Sequence, residues 1–164
     1  MEEQTMRFQY LYEKYSEEVY RFAFWLSGDR DEAKDIASET FLRVWTAKAE
    51  IRLESVKAYL LAIARNIYLH EKRKRGRQTT IGEEVEDRAR RPDQSAEVNA
   101  DLELTLKAIQ TLPEIDRTIL IMRGEEGLPY EEIARLTGLS LSAVKVRVFR
   151  ARLKLTEMLE ERKG

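Results

Sequence analysis

The sequence predicts an all-α protein built from two small helical domains joined by a flexible linker. Three observations carry that expectation. Of 164 residues only three are Pro and seven Gly, while Leu, Ala, Glu, Arg and Lys are abundant, a composition that favours helix. Apolar residues recur at three- and four-residue spacing, with no strand-like alternation and no internal repeat. Finally, the middle of the chain changes character. Between Ile81 and Glu103 there are eight acids, three bases and few large apolar side chains. Such a stretch cannot bury enough apolar surface to offset its ordering entropy. A long surface loop on a single domain is the alternative, but structureless loops above about 12–15 residues are uncommon inside compact domains. The expected boundaries are 1–77 for the first domain, 78–101 for an acidic linker and 102–164 for the second domain.

Residues 6–27 read as helical, in two pieces meeting near Ser16: Phe8, Leu11, Tyr12 and Tyr15 mark the first, and Val19, Phe22, Ala23 and Leu26 the second. Gly28 stops the run. Asp29 and Glu32 form a capping box for a helix over about 30–47. Its apolar positions are Ala33, Ile36, Ala37, Phe41, Val44 and Trp45. After a loop over 48–55, Ser55 opens a helix to about Arg75, apolar at first (Tyr59, Leu60, Ile63, Ala64, Ile67) and basic at its end. Beyond the linker, Leu102, Leu104, Leu106, Ile109 and Leu112 predict one helix, ended by Pro113, and Ile119, Leu120 and Met122 a second. Gly124–Pro129 breaks the chain. A short helix over Tyr130–Thr137, a turn at Gly138-Leu139-Ser140 and a helix from Leu141 to about Glu160 complete it.

Composition removes several function classes. With no Cys there is no disulfide framework, thiolate metal site or Cys nucleophile. With His70 as the single His, a His-rich metal site is excluded and a Ser-His triad disfavoured. No acid pairs with a His, a Cys or a Gly-rich phosphate loop, so no enzymatic constellation stands out and no cofactor or metal is expected. The N-terminus MEEQTM is acidic and polar, which argues against a signal peptide. The longest apolar stretch, around Ala58–Ala64, falls far short of the roughly 18–20 residues of a membrane span. A soluble cytoplasmic protein without membrane insertion is expected.

The net charge of −1, from 29 bases and 30 acids, hides a polarised distribution. From Ser140 to Lys154 there are five bases and no acids, a local charge of +5. Winding that helix at about 100° per residue puts Val144, Val148, Ala151 and Leu155 on an inward face. Ser142, Val146, Phe149 and Arg150 fall on the opposite face, flanked by Lys145, with Arg147, Arg152 and Lys154 nearer the sides. Helix, tight turn and second helix form a helix-turn-helix pattern. Gly138 suits a left-handed helix end, Leu139 the angle between the helices and Ser140 the next cap. Cations at the flanks answer phosphates, and donors with apolar contacts answer base edges. The bland alternative is an amphipathic surface helix with a basic face, or a second apolar stripe of Val146, Phe149 and Leu153 against a partner.

A second basic stretch, Arg65–Arg77, holds six bases and one acid, again +5. It shares a helix with Tyr59, Asn66 and Tyr68, with Trp45 upstream. Cations that track a backbone, aromatics that stack and an amide that reads an edge suit melted DNA. Equally, the aromatics could be core and the basic run a helix end favoured by the dipole.

Together these fragments resemble a bacterial RNA polymerase sigma factor of the extracytoplasmic-function group. The first module is similar to sigma region 2 through Leu11-Tyr12, Tyr15, Val19-Tyr20-Arg21-Phe22-Ala23, Asp35-Ile36, Glu39-Thr40-Phe41-Leu42, Val44-Trp45 and Ala62-Ile63-Ala64-Arg65-Asn66. The second is similar to sigma region 4 through Leu112-Pro113-Glu114, Arg117, Glu126-Gly127-Leu128, Tyr130-Glu131-Glu132-Ile133-Ala134, Gly138, Ser140, Val144-Lys145, Arg147 and Arg150-Ala151-Arg152. His70, Ser38, Tyr59, Pro129 and Val146 depart from the common pattern, which bears on promoter preference.

The resemblance implies that Asp35, Glu39, Phe41 and Trp45 dock on the clamp helices of core RNA polymerase. Asp35 and Glu39, four residues apart, share one helical face. It implies that the loop 46–57 with Tyr59, Arg65, Asn66, Lys72 and Arg73 recognises and opens the minus-ten element. The minus-thirty-five duplex would be read through Ser142, Lys145, Val146, Phe149 and Arg150, with Arg147 and Arg152 on phosphates. The expected partners are core polymerase, promoter DNA in duplex and melted form, and a separate anti-sigma protein, since no inhibitory domain is evident before Met6 or beyond about residue 160. A stand-alone helix-turn-helix regulator is the competing reading; it would bind a palindrome without polymerase, and the Asp35/Glu39 face would have no task.

Overall fold

The computed structural model describes residues 2–47, 56–78 and 98–163, and all the regular structure there is helical. The order is α1 (Glu2–Ser27), α2 (Arg30–Thr46), α3 (Val56–Gln78), α4 (Val98–Gln110), α5 (Glu114–Gly124), α6 (Tyr130–Thr137) and α7 (Leu141–Lys163). The chain divides into two compact units, Met1–Glu86 and Asp87–Gly164.

In the first unit α1, α2 and α3 all pack on one another. Contrary to the expected break near Ser16, α1 is one continuous helix. Leu11, Val19, Phe22, Ala23 and Leu26 form one buried stripe along it. A mid-helix Ser costs roughly 0.5 kcal/mol against Ala, too little to break a helix packed along its length. The α1–α2 corner is built locally. Gly28 takes the left-handed conformation (φ 75°), which L side chains avoid. The Asp29 carboxylate accepts the amides of Asp31 (2.8 Å) and Glu32 (3.2 Å). Only that half of the expected capping box forms. The Asp29 amide donates to Ser27 Oγ instead (3.3 Å), and Glu32 turns to Arg75 of α3 (2.8 Å). Ile36, Val44, Leu60, Leu61, Ala64 and Ile67 join the α1 stripe in the core. The buried Thr40 hydroxyl returns its hydrogen bond to Ile36 O (2.7 Å), so this hydroxyl is not stranded.

In the second unit α7 is the central element, packing on α4, α5 and α6. Helix α4 reaches back to Val98, so the last four residues of the expected linker (98–101) are helical; Asp101 sits in the first turn, where the dipole favours an acid. The remainder of the expected linker (79–97) and the expected loop 48–55, with Ser55, lie outside the described residues. Ile119, Met122, Ile133, Val144 and Val148 are fully buried. Buried Arg117 donates to Gln110 Oε1 (2.9 Å), tying α5 to α4. Among the described residues no helix is long and apolar enough to cross a membrane.

Candidate nucleic-acid interface

The corner between α6 and α7 is the helix-turn-helix geometry. Gly138 ends α6 at φ 76°, ψ 8°, its amide bonded to Ala134 O. Ser140 Oγ accepts the Ala143 amide (3.1 Å) and opens α7. A side chain at Gly138 would meet nothing within 4 Å, so it is the backbone conformation that asks for glycine there. Leu139 is half-buried in the angle.

With α7 seated by Val144, Val148 and Ala151, its outward face is determined. Ser142, Lys145, Val146, Phe149, Arg150 and Arg152 are all exposed. Phe149 is 68% exposed, Leu153 51% and Val146 44%, an apolar strip bordered by cations. A phenyl ring so exposed on a monomer loses its burial energy, so it suits a surface that is covered in use. Arg147 has a partner within its own domain that the sequence did not suggest: its Nη1 pairs with Asp116 Oδ1 of α5 at 2.9 Å.

In the first unit α3 carries the second basic stretch. Asn66, Lys72 and Arg73 are exposed, and Tyr59 and Arg65 half-buried. Tyr68 is buried with the Lys72 ammonium 5.7 Å from its ring centre, so it is core rather than a stacking platform. Arg75 is engaged by Glu32. Burial pushes the Glu32 carboxyl above its ordinary range, and Arg75 opposes that shift.

The residues expected to face the polymerase separate into two groups. Asp35 is exposed and Glu39 half-buried on the outer side of α2, with Glu39 Oε1 accepting from Arg43 (3.3 Å). Phe41, by contrast, is only 3% exposed. It meets Tyr12 edge-on at 5.1 Å and Phe8 at 6.4 Å, and Phe8 meets Trp45 at 5.0 Å. Phe41 therefore supports the surface from beneath and cannot itself be presented. Trp45, half exposed, belongs to this α1–α2 cluster. Sequence reasoning placed Phe8 and Tyr12 on one helical face but missed them as partners of this cluster because they lie on a different helix, about thirty residues away in sequence. It missed Asp116 because 31 residues separate it from Arg147 and no local pattern links them.

Comparison with known proteins gives the same two-part division. The family model for Sigma-70 region 2 matches residues 11–78, and that for Sigma-70, region 4 matches residues 102–155. The chain is 34% identical over 141 residues to the ECF RNA polymerase sigma factor EcfG of Rhodopseudomonas palustris, covering 84% of this chain and 77% of that protein. It is 32% identical to the ECF RNA polymerase sigma factor SigE of Mycolicibacterium smegmatis, covering 91% of this chain but 60% of that longer protein. Among solved structures it is similar to the sigma factor RpoE of Bartonella quintana, in complex with the anti-sigma factor NepR. That match has a TM-score of 0.77 and 31% identity, and it covers 94% of this chain and 97% of that one.

Proposed function

The chain belongs to the extracytoplasmic-function group of sigma-70 factors, and on that premise we propose that it is a promoter-specificity subunit. It binds core RNA polymerase, recognises minus-ten and minus-thirty-five elements and promotes DNA opening. It performs no bond-breaking chemistry of its own. The observation that carries the reading is the outward face of α7: six exposed residues without an acid, seated by a buried inner face behind a capped turn.

Each proposed role follows from placement. Asp35 and Glu39 offer paired carboxylates to a basic partner surface, with Trp45 as an apolar anchor beside them. Exposed Asn66, with Tyr59 and Arg65, suits capture of an unstacked base; Lys72 and Arg73 suit the backbone of the melted strand. Unstacking costs a few kcal/mol per step, roughly, which binding must offset because nothing is hydrolysed. On α7, Lys145 and Arg150 supply donors to base edges, Ser142 a hydroxyl, and Val146 and Phe149 contact for a thymine methyl. Arg152 answers a phosphate. Arg147 acts from inside by fixing α7 against α5. A separate anti-sigma protein that covers these faces is part of the proposal, supported by the Bartonella relative, which was solved with one.

Run-off transcription with core polymerase tests the reading. Lys145→Ala should impair minus-thirty-five recognition while sparing opening, and Asn66→Ala should do the reverse. Absence of core-dependent transcripts, or palindrome binding without polymerase, would replace this reading with that of a stand-alone regulator.

A further inference from the structure

We propose that Tyr130 is a positioning residue: its ring holds Lys145 in place on the reading face of α7. The proposal rests on the reading of α7 as the duplex-reading helix. Tyr130 is the first residue of α6 and is half-buried. Two cations lie over its ring. The Arg123 guanidinium carbon is 4.2 Å from the ring centre, and the Lys145 ammonium is 5.9 Å away. Arg123 does not move freely, because its Nη1 donates to the carbonyl of buried Leu128 (3.2 Å). A hydrogen bond from α5 to the loop before α6 thus sets the guanidinium against the ring.

Lys145 is exposed, and a lysine stem carries considerable rotamer freedom. The negative face of the Tyr130 ring attracts its ammonium from within cation–π reach. The anchored Arg123 charge repels that ammonium and limits how closely it can settle. Lys145 is thereby held over the ring before DNA arrives, and less rotamer freedom remains to be lost on binding. The device uses the ring and not the hydroxyl, so phenylalanine keeps it and leucine removes it.

NMR of the full chain reads the stack without DNA. The Lys145 ε-methylene protons should show an upfield ring-current shift, lost in Tyr130→Leu and retained in Tyr130→Phe. Holoenzyme formed with core polymerase is then assayed on promoters with each minus-thirty-five base substituted in turn. Tyr130→Leu should reduce discrimination about two- to fivefold, and only at the base step that Lys145→Ala affects. The double variant should lose no more than Lys145→Ala, and Tyr130→Phe should match the parent. Absence of the ring-current shift in the parent protein overturns the proposal. So does uniform weakening across all positions in Tyr130→Leu, which is what a merely structural role gives. If the shift is present but Lys145→Ala leaves every base step unchanged, the stack is real and the reading of α7 has failed.

Discussion

Arg147 offers the sharpest test of how the second domain is built. The family resemblance implied a phosphate contact for it, and the structure ties it to Asp116 at 2.9 Å. Its side chain is 41% exposed and that of Asp116 22%, so solvent screens the pair. A pair in that setting contributes about 0.2–1 kcal/mol, and truncating the Arg stem also removes packing. Arg147→Ala should therefore destabilise the second domain by about 1 kcal/mol, which for a domain of this size lowers its Tm by about 4–8 °C. Asp116→Asn should produce most of the same loss, and the double variant little beyond Arg147→Ala. Calorimetry of the full chain measures this. The salt dependence of holoenzyme binding to duplex promoter supplies the second readout. A residue neutralising one phosphate contributes about 0.9 to the slope of log K against log salt. Arg147→Ala should leave that slope unchanged, while Arg152→Ala should lower it. A reduced slope in Arg147→Ala, with an unmoved Tm and an inert Asp116→Asn, would refute the assignment.

The turn makes its own predictions. Gly138→Ala should cost about 1–2 kcal/mol from the left-handed backbone alone, since a Cβ would meet nothing within 4 Å; Ser140→Ala should cost about 1 kcal/mol through the lost cap. Chemical denaturation checks both. Leu60→Ala, at a fully buried position, should cost about 2–5 kcal/mol and abolish promoter opening, while the second domain keeps its cooperative transition in calorimetry. Glu32 makes a pH prediction. Its folded-state pKa is raised by burial, so the folded state binds its proton more tightly than the unfolded chain does. Its ionisation opposes folding, and stability from this group declines as pH rises from the ordinary value of 4.5 through the raised one. Glu32→Gln should flatten that part of the Tm–pH curve; a Glu32→Gln protein that becomes relatively less stable as pH rises through that window would contradict the sign.

Much of the architecture was written in local pattern. The stripe of Val144, Val148 and Ala151 is a 3.6-residue signal, and it placed the outward face of α7 without knowledge of its neighbours. Gly138 and Ser140 announce turn and cap because their roles depend on their own backbones. The acidic character of the middle segment and the two basic stretches also follow from composition, which is why a net charge of −1 did not conceal the polarised charge. Motif order along the chain then pointed to the family that the comparisons support.

What the linear pattern left undecided were pairings across helices. Glu32 satisfies the rule for a capping box, yet a stronger partner, Arg75, lies on another helix, and Ser27 takes over the vacant amide. Phe41 and Trp45 are four residues apart and look equivalent; packing buries the first and leaves the second half exposed. Arg147 and Arg152 likewise read as equal cations until Asp116 claims one of them. Periodicity states which side chains share a face, whereas burial and ion pairing depend on what another helix brings to that face. Helix, cap and the outward face of α7 are short-range properties and were legible in the sequence; the choice of which cation, acid or ring is drawn into a pairing is made by contacts between residues distant along the chain.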